Sequence, residues 1–229
     1  MSRILAIDTT SDFASIALVE DGRVVEECAL QSSDGFAHVL FGSVAQLLAR
    51  HALDPRSIDV YASASGPGSF TGVRVGLTAA KGLAEAAGRK AIGISNLQAI
   101  ASFGSAPLRA VVMDARRGEI FGAVYDASLR LVCGEVVMKF EDWLKSIPEN
   151  VEFIAAVDNA SFPGPMTRAP RFLAGAIGKI AASQIDRASG AGHGSAACPT
   201  ETEPSVMTAR PILAAKHVFI MGHFRIEQS

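Results

Sequence analysis

The feature that most constrains the fold of this chain is a glycine-rich loop between an apolar strand and a helix of small residues. The apolar run Ile58–Ala64 is typical of a buried strand, and the loop Gly66–Gly72 has the sequence Gly-Pro-Gly-Ser-Phe-Thr-Gly. A helix is predicted over Val73–Ala87, because Gly88 is a frequent type of C-terminal cap. A loop of this kind before a helix N-terminus favours an anion site, although a structural turn explains the same residues. No lysine follows the loop, which excludes a P-loop.

Small residues recur at every fourth position from this loop into the helix. They are Gly72, Gly76, Ala80, Ala84 and Gly88, which we call the small-residue ridge. Residues four apart lie on one helix face, so another element can pack closely along this ridge. A glycine inside a helix costs about 1 kcal/mol relative to alanine, and close packing is the simplest compensation. The spacing leaves open whether the ridge packs on the chain's own sheet or on a partner.

The residues around this unit predict the order βββαβαβα for the first part of the chain. Three strands are expected to form an antiparallel meander, with Asp21-Gly22 as the tight turn between the second and third. Asp34 is the expected cap of the first helix. A mixed sheet flanked by helices follows from this order. The remaining expected elements are strands Arg3–Ile7, Ala14–Glu20, Arg23–Leu30 and Lys90–Ile94, and helices Phe36–His51 and Leu97–Phe103.

The second part of the chain repeats the theme of strands followed by a helix. We expect an N-terminal lobe at residues 1–103, a smaller α/β lobe at 104–190 and an irregular, divergent tail at 191–229, whose start is rich in Gly, Ala, Ser and Pro. The expected strands of the second lobe are Arg109–Asp114, Glu119–Tyr125, Leu131–Met138 and Val151–Val157, and the expected helices are Phe140–Ser146 and Arg171–Ala188.

Charge and cysteine content restrict the class of protein. The net charge is −2 and no dense basic run is present, so any contact with RNA is expected to be shared with a partner. The three cysteines, Cys28, Cys133 and Cys198, lack the spacing of a disulfide framework or a zinc site. The chain shows no secretory signal and no apolar run of about 18 residues, so we expect a cytoplasmic protein without a membrane contact.

Two polar turns are candidates for ligand contacts. Asp8, at the end of the first strand, could hold Mg²⁺ through water, or could simply form a turn through its side chain. A second turn, with Asp114, Arg116, Arg117 and Glu119, could recognise phosphate or carboxylate, or could be a solvated hairpin. No two histidines have the spacing of a helical metal site, and no catalytic constellation is evident. The candidate nucleotide or phosphate contacts are Asp8, Thr9, Thr10, Gly66, Gly68, Ser69, Thr71 and Gly72.

Four segments of the chain closely resemble the TsaB (YeaZ) family. They are Ile4–Thr10, Gly66–Leu77, Ala80–Ala84 and Met113–Glu119. The resemblance implies an α/β protein with an actin-like ATPase (RNase H-like) fold, in which two related lobes carry mixed β-sheets flanked by helices. It also implies a non-catalytic bacterial subunit that pairs with TsaD and recruits the ATPase TsaE. The assembly transfers a threonylcarbamoyl group to the adenosine beside the anticodon of tRNAs that read codons starting with A.

The same resemblance implies a site for partners and the absence of a metal. The paralogue TsaD carries a His-x-x-x-His metal pair where this chain has Asn96 and Ile100, and isoleucine has no donor atom. ATP or ADP with Mg²⁺ is expected only at the junction with TsaD, and tRNA contact is expected through the complex. The helices that form the interface with TsaD are also expected to form a homodimer of the free chain. The expected interface residues are Phe36, Leu40, Val44, Gly72, Val73, Gly76, Leu77, Ala80 and Ala84.

Two other functions remain as alternatives. An actin-like ATPase or kinase would use Asp8 and the Gly66–Gly72 loop, but a second clear nucleotide loop is missing. A metalloprotease, an older label of this superfamily, would need metal ligands that the sequence lacks. The chain also departs from the TsaB pattern after Ser189, where a Pro-x-Tyr-x-Arg-like ending is missing.

Overall fold

A five-stranded mixed sheet forms the first half of the molecule. The computed structural model describes residues 2–156, 165–190 and 210–211. The strands lie in the order β3-β2-β1-β4-β5, and the first three are antiparallel, as the meander prediction requires. Asp21 and Gly22 both have positive φ, which matches the twist of a two-residue hairpin turn. The strands are Arg3–Asp8 (β1), Ser15–Glu20 (β2), Arg23–Ala29 (β3), Val60–Ala64 (β4) and Lys90–Ile94 (β5).

Three helices connect or follow these strands. They are Ala37–Arg50 (α1), Phe70–Ala87 (α2) and Asn96–Ala101 (α3). Helix α2 begins three residues earlier than predicted, because the Ser69 hydroxyl accepts a hydrogen bond from the Gly72 amide and caps the helix start. It ends at Gly88 with φ +65°, as the glycine predicts. The predicted cap of α1 is wrong: no side chain caps this helix, and the Asp34 amide instead donates to the Ser32 hydroxyl.

A second sheet repeats the topology of the first. Its order is β10-β9-β6-β7-β8-β11, and strands β6 to β10 pair with the same orientations as β1 to β5. This correspondence confirms two related lobes with mixed sheets, as expected for the actin-like fold. Strand β10 is absent from the predicted elements, because a three-residue run carries no readable alternation. The elements are Leu108–Arg116 (β6), Glu119–Asp126 (β7), Leu131–Lys139 (β8), Phe140–Leu144 (α4), Glu152–Ala156 (β9), Thr167–Ala169 (β10), Ala174–Gly190 (α5) and Arg210–Pro211 (β11).

The helices divide the molecule into three apolar layers. Leu5 and Ile7 of β1 face α1 and α2, whereas Ile4 and Ala6 face the other side of the sheet, where α3 and α5 lie. The second sheet contributes to that same layer, and its opposite face packs on Trp143 of α4. Helix α5 follows the strands of the second lobe in sequence but lies across β1 and β2 of the first sheet. The two sheets therefore share the layer that contains α3 and α5.

The predicted tail and the predicted lack of a membrane contact concern the following residues. The tail at 191–229 lies outside the described residues except for β11, which pairs antiparallel with Val136 and Val137 of β8. Among the described residues, no helix has the length and apolar character that crossing a membrane requires.

Candidate functional site

The small-residue ridge of α2 packs on the chain's own sheet. A Cβ atom at Gly72 would overlap the carbonyl oxygen of Thr9. A Cβ atom at Gly76 would lie 2.8 Å from the hydroxyls of Ser63 and Thr9. Ala80 and Ala84 are buried in the same layer. These glycines are therefore required for the close approach of α2 to β1 and β4.

Six of the nine residues predicted for the partner interface are buried in the core of this chain. Four of the nine predicted residues, Gly72, Gly76, Ala80 and Ala84, are on the buried ridge, and Leu40 and Val44 of α1 are buried in the same core. The other three, Phe36, Val73 and Leu77, are only partly exposed. A partner cannot reach the ridge without displacing the first sheet.

The opposite side of α2, which we call its outer face, is open. Phe70 is 70% exposed, and the guanidinium of Arg74 lies 3.7 Å from the centre of its ring. Phe41, on the exposed side of α1, is 54% exposed. A Cβ atom added at Gly42 or Gly82 would meet no other atom within 4 Å, so the helices are uncovered there. Further exposed residues of the outer face are Thr78, Lys81, Gly82 and Glu85.

The turn after β1 is a buried, hydrogen-bonded structure. One oxygen of Asp8, Oδ1, accepts hydrogen bonds from the Thr10 amide at 2.9 Å and from the Thr10 hydroxyl at 2.6 Å. The Thr9 hydroxyl donates to the carbonyl oxygen of Gly72 at 2.7 Å. Asp8, Thr9 and Thr10 are all buried, with exposures of 1%, 2% and 4%. The turn expected from the Asp8 side chain is therefore formed.

The other oxygen of Asp8 is buried and has no hydrogen-bond partner among the residues that the structure describes. Burial raises the pKa of this carboxyl, the hydrogen bonds from Thr10 and the nearby Asn96 amide group lower it, and the nearby Glu27 carboxylate raises it again, with the net effect upward. A protonated Asp8 would cost less to bury than a charged one.

The glycine-rich loop closes onto this turn. The Ser69 amide donates to the Thr10 carbonyl oxygen at 2.7 Å, and a Cβ atom at Gly68 would lie 2.6 Å from that same oxygen. The loop amides of Ser69 and Gly72 are thus engaged within the chain. Six of the eight predicted phosphate contacts are brought together here, and hydrogen bonds or close contacts join them to one another. Thr71 is exposed on the first turn of α2, and Gly66 pairs with Asn96.

Asn96 joins the loop to the turn. Its amide nitrogen donates to the Thr10 hydroxyl at 2.7 Å, and its amide oxygen accepts from the Gly66 amide at 3.0 Å. Its backbone amide donates to the Gly66 carbonyl oxygen at 2.8 Å. Asn96 is 1% exposed, and Ile100 one turn later lies in the apolar core. The sequence alone shows that position 96 holds asparagine and not a histidine ligand. No sequence pattern predicts the three hydrogen bonds that Asn96 forms.

The charged turn in the second lobe is a solvent-exposed hairpin tip. Asp114, Arg116, Arg117 and Glu119 are all exposed, and none forms an ion pair with another described residue. The Asp114 carboxylate accepts a hydrogen bond from the Arg116 amide at 2.7 Å. Arg116 and Arg117 have φ values of +65° and +56°. The two guanidinium groups are therefore free to meet a ligand from outside.

A polar contact near Asp8 is not evident from the sequence. The Ser15 hydroxyl donates to Glu27 Oε1 at 3.0 Å and accepts from the Ala174 amide at 3.2 Å, and the Gly175 amide donates to the same Glu27 oxygen at 3.1 Å. The first sheet thereby caps the N-terminus of α5, a helix that follows the strands of the other lobe. No local signal in the sequence could connect positions so far apart.

Comparison with known proteins agrees with this architecture. Residues 30–199 match the family model of TsaD, described as tRNA N6-adenosine threonylcarbamoyltransferase. This chain belongs to the family of TsaD and its paralogue TsaB. The TsaB protein of Bacillus subtilis (strain 168) is 31% identical over 151 residues, which are 64% of this chain and 66% of that protein. The TsaB protein of Escherichia coli (strain K12) is 38% identical over 128 residues, which are 54% of each chain.

The match to these family members is partial in length but extends to the fold. The matched region spans less than two thirds of either TsaB protein. YeaZ from Pseudomonas aeruginosa superposes with a TM-score of 0.65 at 25% identity, covering 82% of this chain and 94% of that chain. The resemblance to TsaB (YeaZ) and the actin-like fold are thus confirmed.

The donor atoms in this family member do not fit the metal pair that the resemblance ascribes to TsaD. Both atoms of the Asn96 side-chain amide are used in hydrogen bonds, and Ile100 offers none. Among the described residues, no cluster of three His, Cys, Asp or Glu side chains is arranged to hold a metal ion. No catalytic step through such a metal can be built on these residues.

Proposed function

We propose that this chain is a non-catalytic subunit that pairs with a TsaD-type enzyme and a TsaE-type ATPase in threonylcarbamoyl transfer to tRNA. The observation that carries the proposal is the substitution of the metal pair by Asn96, whose side chain is bonded to Thr10 and Gly66, and by the apolar Ile100. TsaB relatives at 31% and 38% identity support a role in threonylcarbamoyladenosine biosynthesis. A protein with this fold and no reactive constellation among its described residues fits an assembly role better than the ATPase or protease alternatives.

The outer face of α2, together with the exposed side of α1, is the proposed surface for TsaD. Phe70 and Phe41 are large apolar side chains that a folded chain leaves uncovered only at some cost, and aromatic residues are enriched at the centres of interfaces. The same surface is proposed to form a homodimer of the free chain. This replaces the buried ridge as the contact region while keeping the two helices.

A nucleotide site is proposed only at the junction with TsaD. The loop amides of Ser69 and Gly72 are already bonded within this chain, so ATP or ADP with Mg²⁺ would need groups from the partner. Isothermal titration of the isolated chain with ATP and Mg²⁺ should give no binding heat. Tight binding with turnover would support the ATPase alternative instead.

The pairing surface can be tested with a charge at its exposed aromatic residue. Phe70→Glu should reduce co-purification with TsaD at least tenfold, because hot-spot aromatic residues each contribute about 2 kcal/mol or more. The matched control is Phe172→Glu, since Phe172 is also an exposed aromatic residue but lies in the segment just before α5. A tRNA modification assay with purified TsaD and TsaE should show the same loss for Phe70→Glu alone. Equal pairing of both variants with TsaD would contradict the assigned surface.

A further inference from the structure

We propose that the tip of the β6–β7 hairpin contacts the phosphate backbone of the tRNA directly, through Arg116 and Arg117. The inference rests on the proposed function, because that function brings a tRNA to the assembly. It assigns this chain a nucleic-acid contact of its own.

The first observation is the availability of both guanidinium groups. Arg116 and Arg117 are exposed, and neither forms an ion pair within the described part of the chain. Four other arginines of that part are held by carboxylates: Arg3, Arg50, Arg89 and Arg130. Arginine presents a planar set of donors that matches phosphate oxygens, and contacts to phosphate and sugar account for most hydrogen bonds to nucleic acids.

The second observation is that the acidic neighbours form no ion pair with either arginine within the described part of the chain. Asp114 accepts the backbone amide of Arg116 at 2.7 Å, so its carboxylate shapes the turn. Glu119 lies opposite Arg116 in the β6–β7 register and opposite Lys139 in the β7–β8 register. The guanidinium groups of both arginines therefore remain available at the hairpin tip.

The third observation is that the turn itself does not require arginine. Both residues have left-handed backbone conformations, with φ of +65° and +56°, and Gly118 follows with φ +78°. Glycine and asparagine adopt this region far more readily than arginine. Turn geometry would thus favour other residue types, and a role for the side chains explains the two arginines.

The composition of the tip favours phosphate over a protein carboxylate. The large exposed apolar side chains of the described residues, which include Phe41, Phe70 and Phe103, all lie outside residues 114–119. Protein interfaces are built around a desolvated apolar or aromatic centre, whereas phosphate contacts are polar and wet. The hairpin tip has the polar composition that is typical of a phosphate contact.

The test uses the complex of the full chain with TsaD and an unmodified tRNA that reads a codon starting with A. The double variant Arg116→Asn with Arg117→Asn removes both charges and suits the left-handed turn. We expect the slope of log affinity against log salt to fall by about 1.5, with about tenfold weaker binding near 0.1 M salt. The double Lys variant should restore most of the slope. Arg168→Asn, which removes an exposed arginine of β10 that forms no ion pair with the described residues, should leave the slope unchanged.

Each outcome decides the proposal. An unchanged salt slope and affinity in the double Asn variant would overturn it, as would a loss of TsaD pairing, which would assign the hairpin to a protein contact. If the wild-type chain forms no complex with TsaD, the proposed function itself fails. The slopes are then compared for the full chain alone with the same tRNA, where a smaller slope in the double Asn variant supports the contact and an equal slope overturns it.

Discussion

At the scale of single residues, Asp8 is the least satisfied group of the candidate site. Its Oδ1 receives two hydrogen bonds from Thr10, whereas Oδ2 is buried without a partner among the described residues. Burial is the largest influence on its pKa and raises it, because the charged form loses water that the two hydrogen bonds to Oδ1 replace only in part. The folded chain therefore has a greater preference for the protonated form of Asp8 than the unfolded chain has.

This preference predicts how stability changes with pH. A carboxyl whose pKa is higher in the folded state binds its proton more tightly there, so its contribution is present below the unfolded pKa and is lost as pH rises through the folded pKa. Asp8→Asn keeps an acceptor for Thr10 and cannot ionise. The variant should therefore gain stability relative to wild type as pH rises above about 4, measured by urea unfolding at several pH values. A difference that is constant across this range would contradict a raised pKa for Asp8.

At the scale of elements, helix α2 has one face packed closely on the sheet and one face open to solvent. The ridge glycines let the helix backbone approach Thr9 and Ser63, while Gly82 lies on the open side, where an added Cβ atom would meet nothing within 4 Å. The structure thus requires glycine at position 76, whereas it leaves space for a side chain at position 82.

A matched pair of alanine substitutions separates these requirements. Gly82→Ala should stabilise the chain by about 0.5–1 kcal/mol, because alanine has the higher helix propensity and meets no atom there. Gly76→Ala should destabilise it by about 1–3 kcal/mol, because its Cβ atom would lie 2.8 Å from two hydroxyls that have to shift. The free energy of unfolding in urea measures both. A stabilising Gly76→Ala would mean that α2 is not packed closely on β1.

At the scale of the whole molecule, helix α5 makes the first sheet depend on residues far along the chain. Ile177, Ile180 and Ala181 share a buried layer with Ile4 and Ala6 of β1. Ser15 and Glu27 cap the helix start from the first sheet. Within residues 2–103, the other described helix on this side of the sheet is the short α3.

The dependence on α5 predicts the behaviour of a fragment. Residues 1–103 alone should not unfold cooperatively, because the apolar side of β1 and β2 would face water without α5. Far-UV circular dichroism during heating, with residues 1–190 as the control, measures this. A sharp transition in the short fragment would show that the lobe is an independent domain.

The sequence predicts the local structure of this protein well and its long-range contacts poorly. The antiparallel meander of β1–β3, the Asp21-Gly22 turn and the cap at Gly88 are each encoded within a few neighbouring residues, and all three predictions are confirmed. Whether the small-residue ridge packs on the chain's own sheet or on a partner is not encoded in this way, because a row of small residues fits a sheet and a partner helix equally well.

The candidate site shows the same division. The sequence identifies Asp8, Thr9, Thr10 and the loop as one region, but not as groups that bond to one another. The bonds of Asn96 to Thr10 and Gly66 join positions that only the folded chain brings together. The caps of α5 by Ser15 and Glu27 escape prediction for the same reason.

The contact between Gly72 and Thr9 has a mechanical consequence. The Thr9 hydroxyl is bonded to the Gly72 carbonyl, and no side chain separates the two backbones. A subunit docked on the far side of α2 would push on a helix whose backbone touches the sheet directly, without side chains between them that could adjust. We therefore expect a displacement of α2 towards the sheet to move Thr9 as well, on the side of the helix opposite the docked subunit.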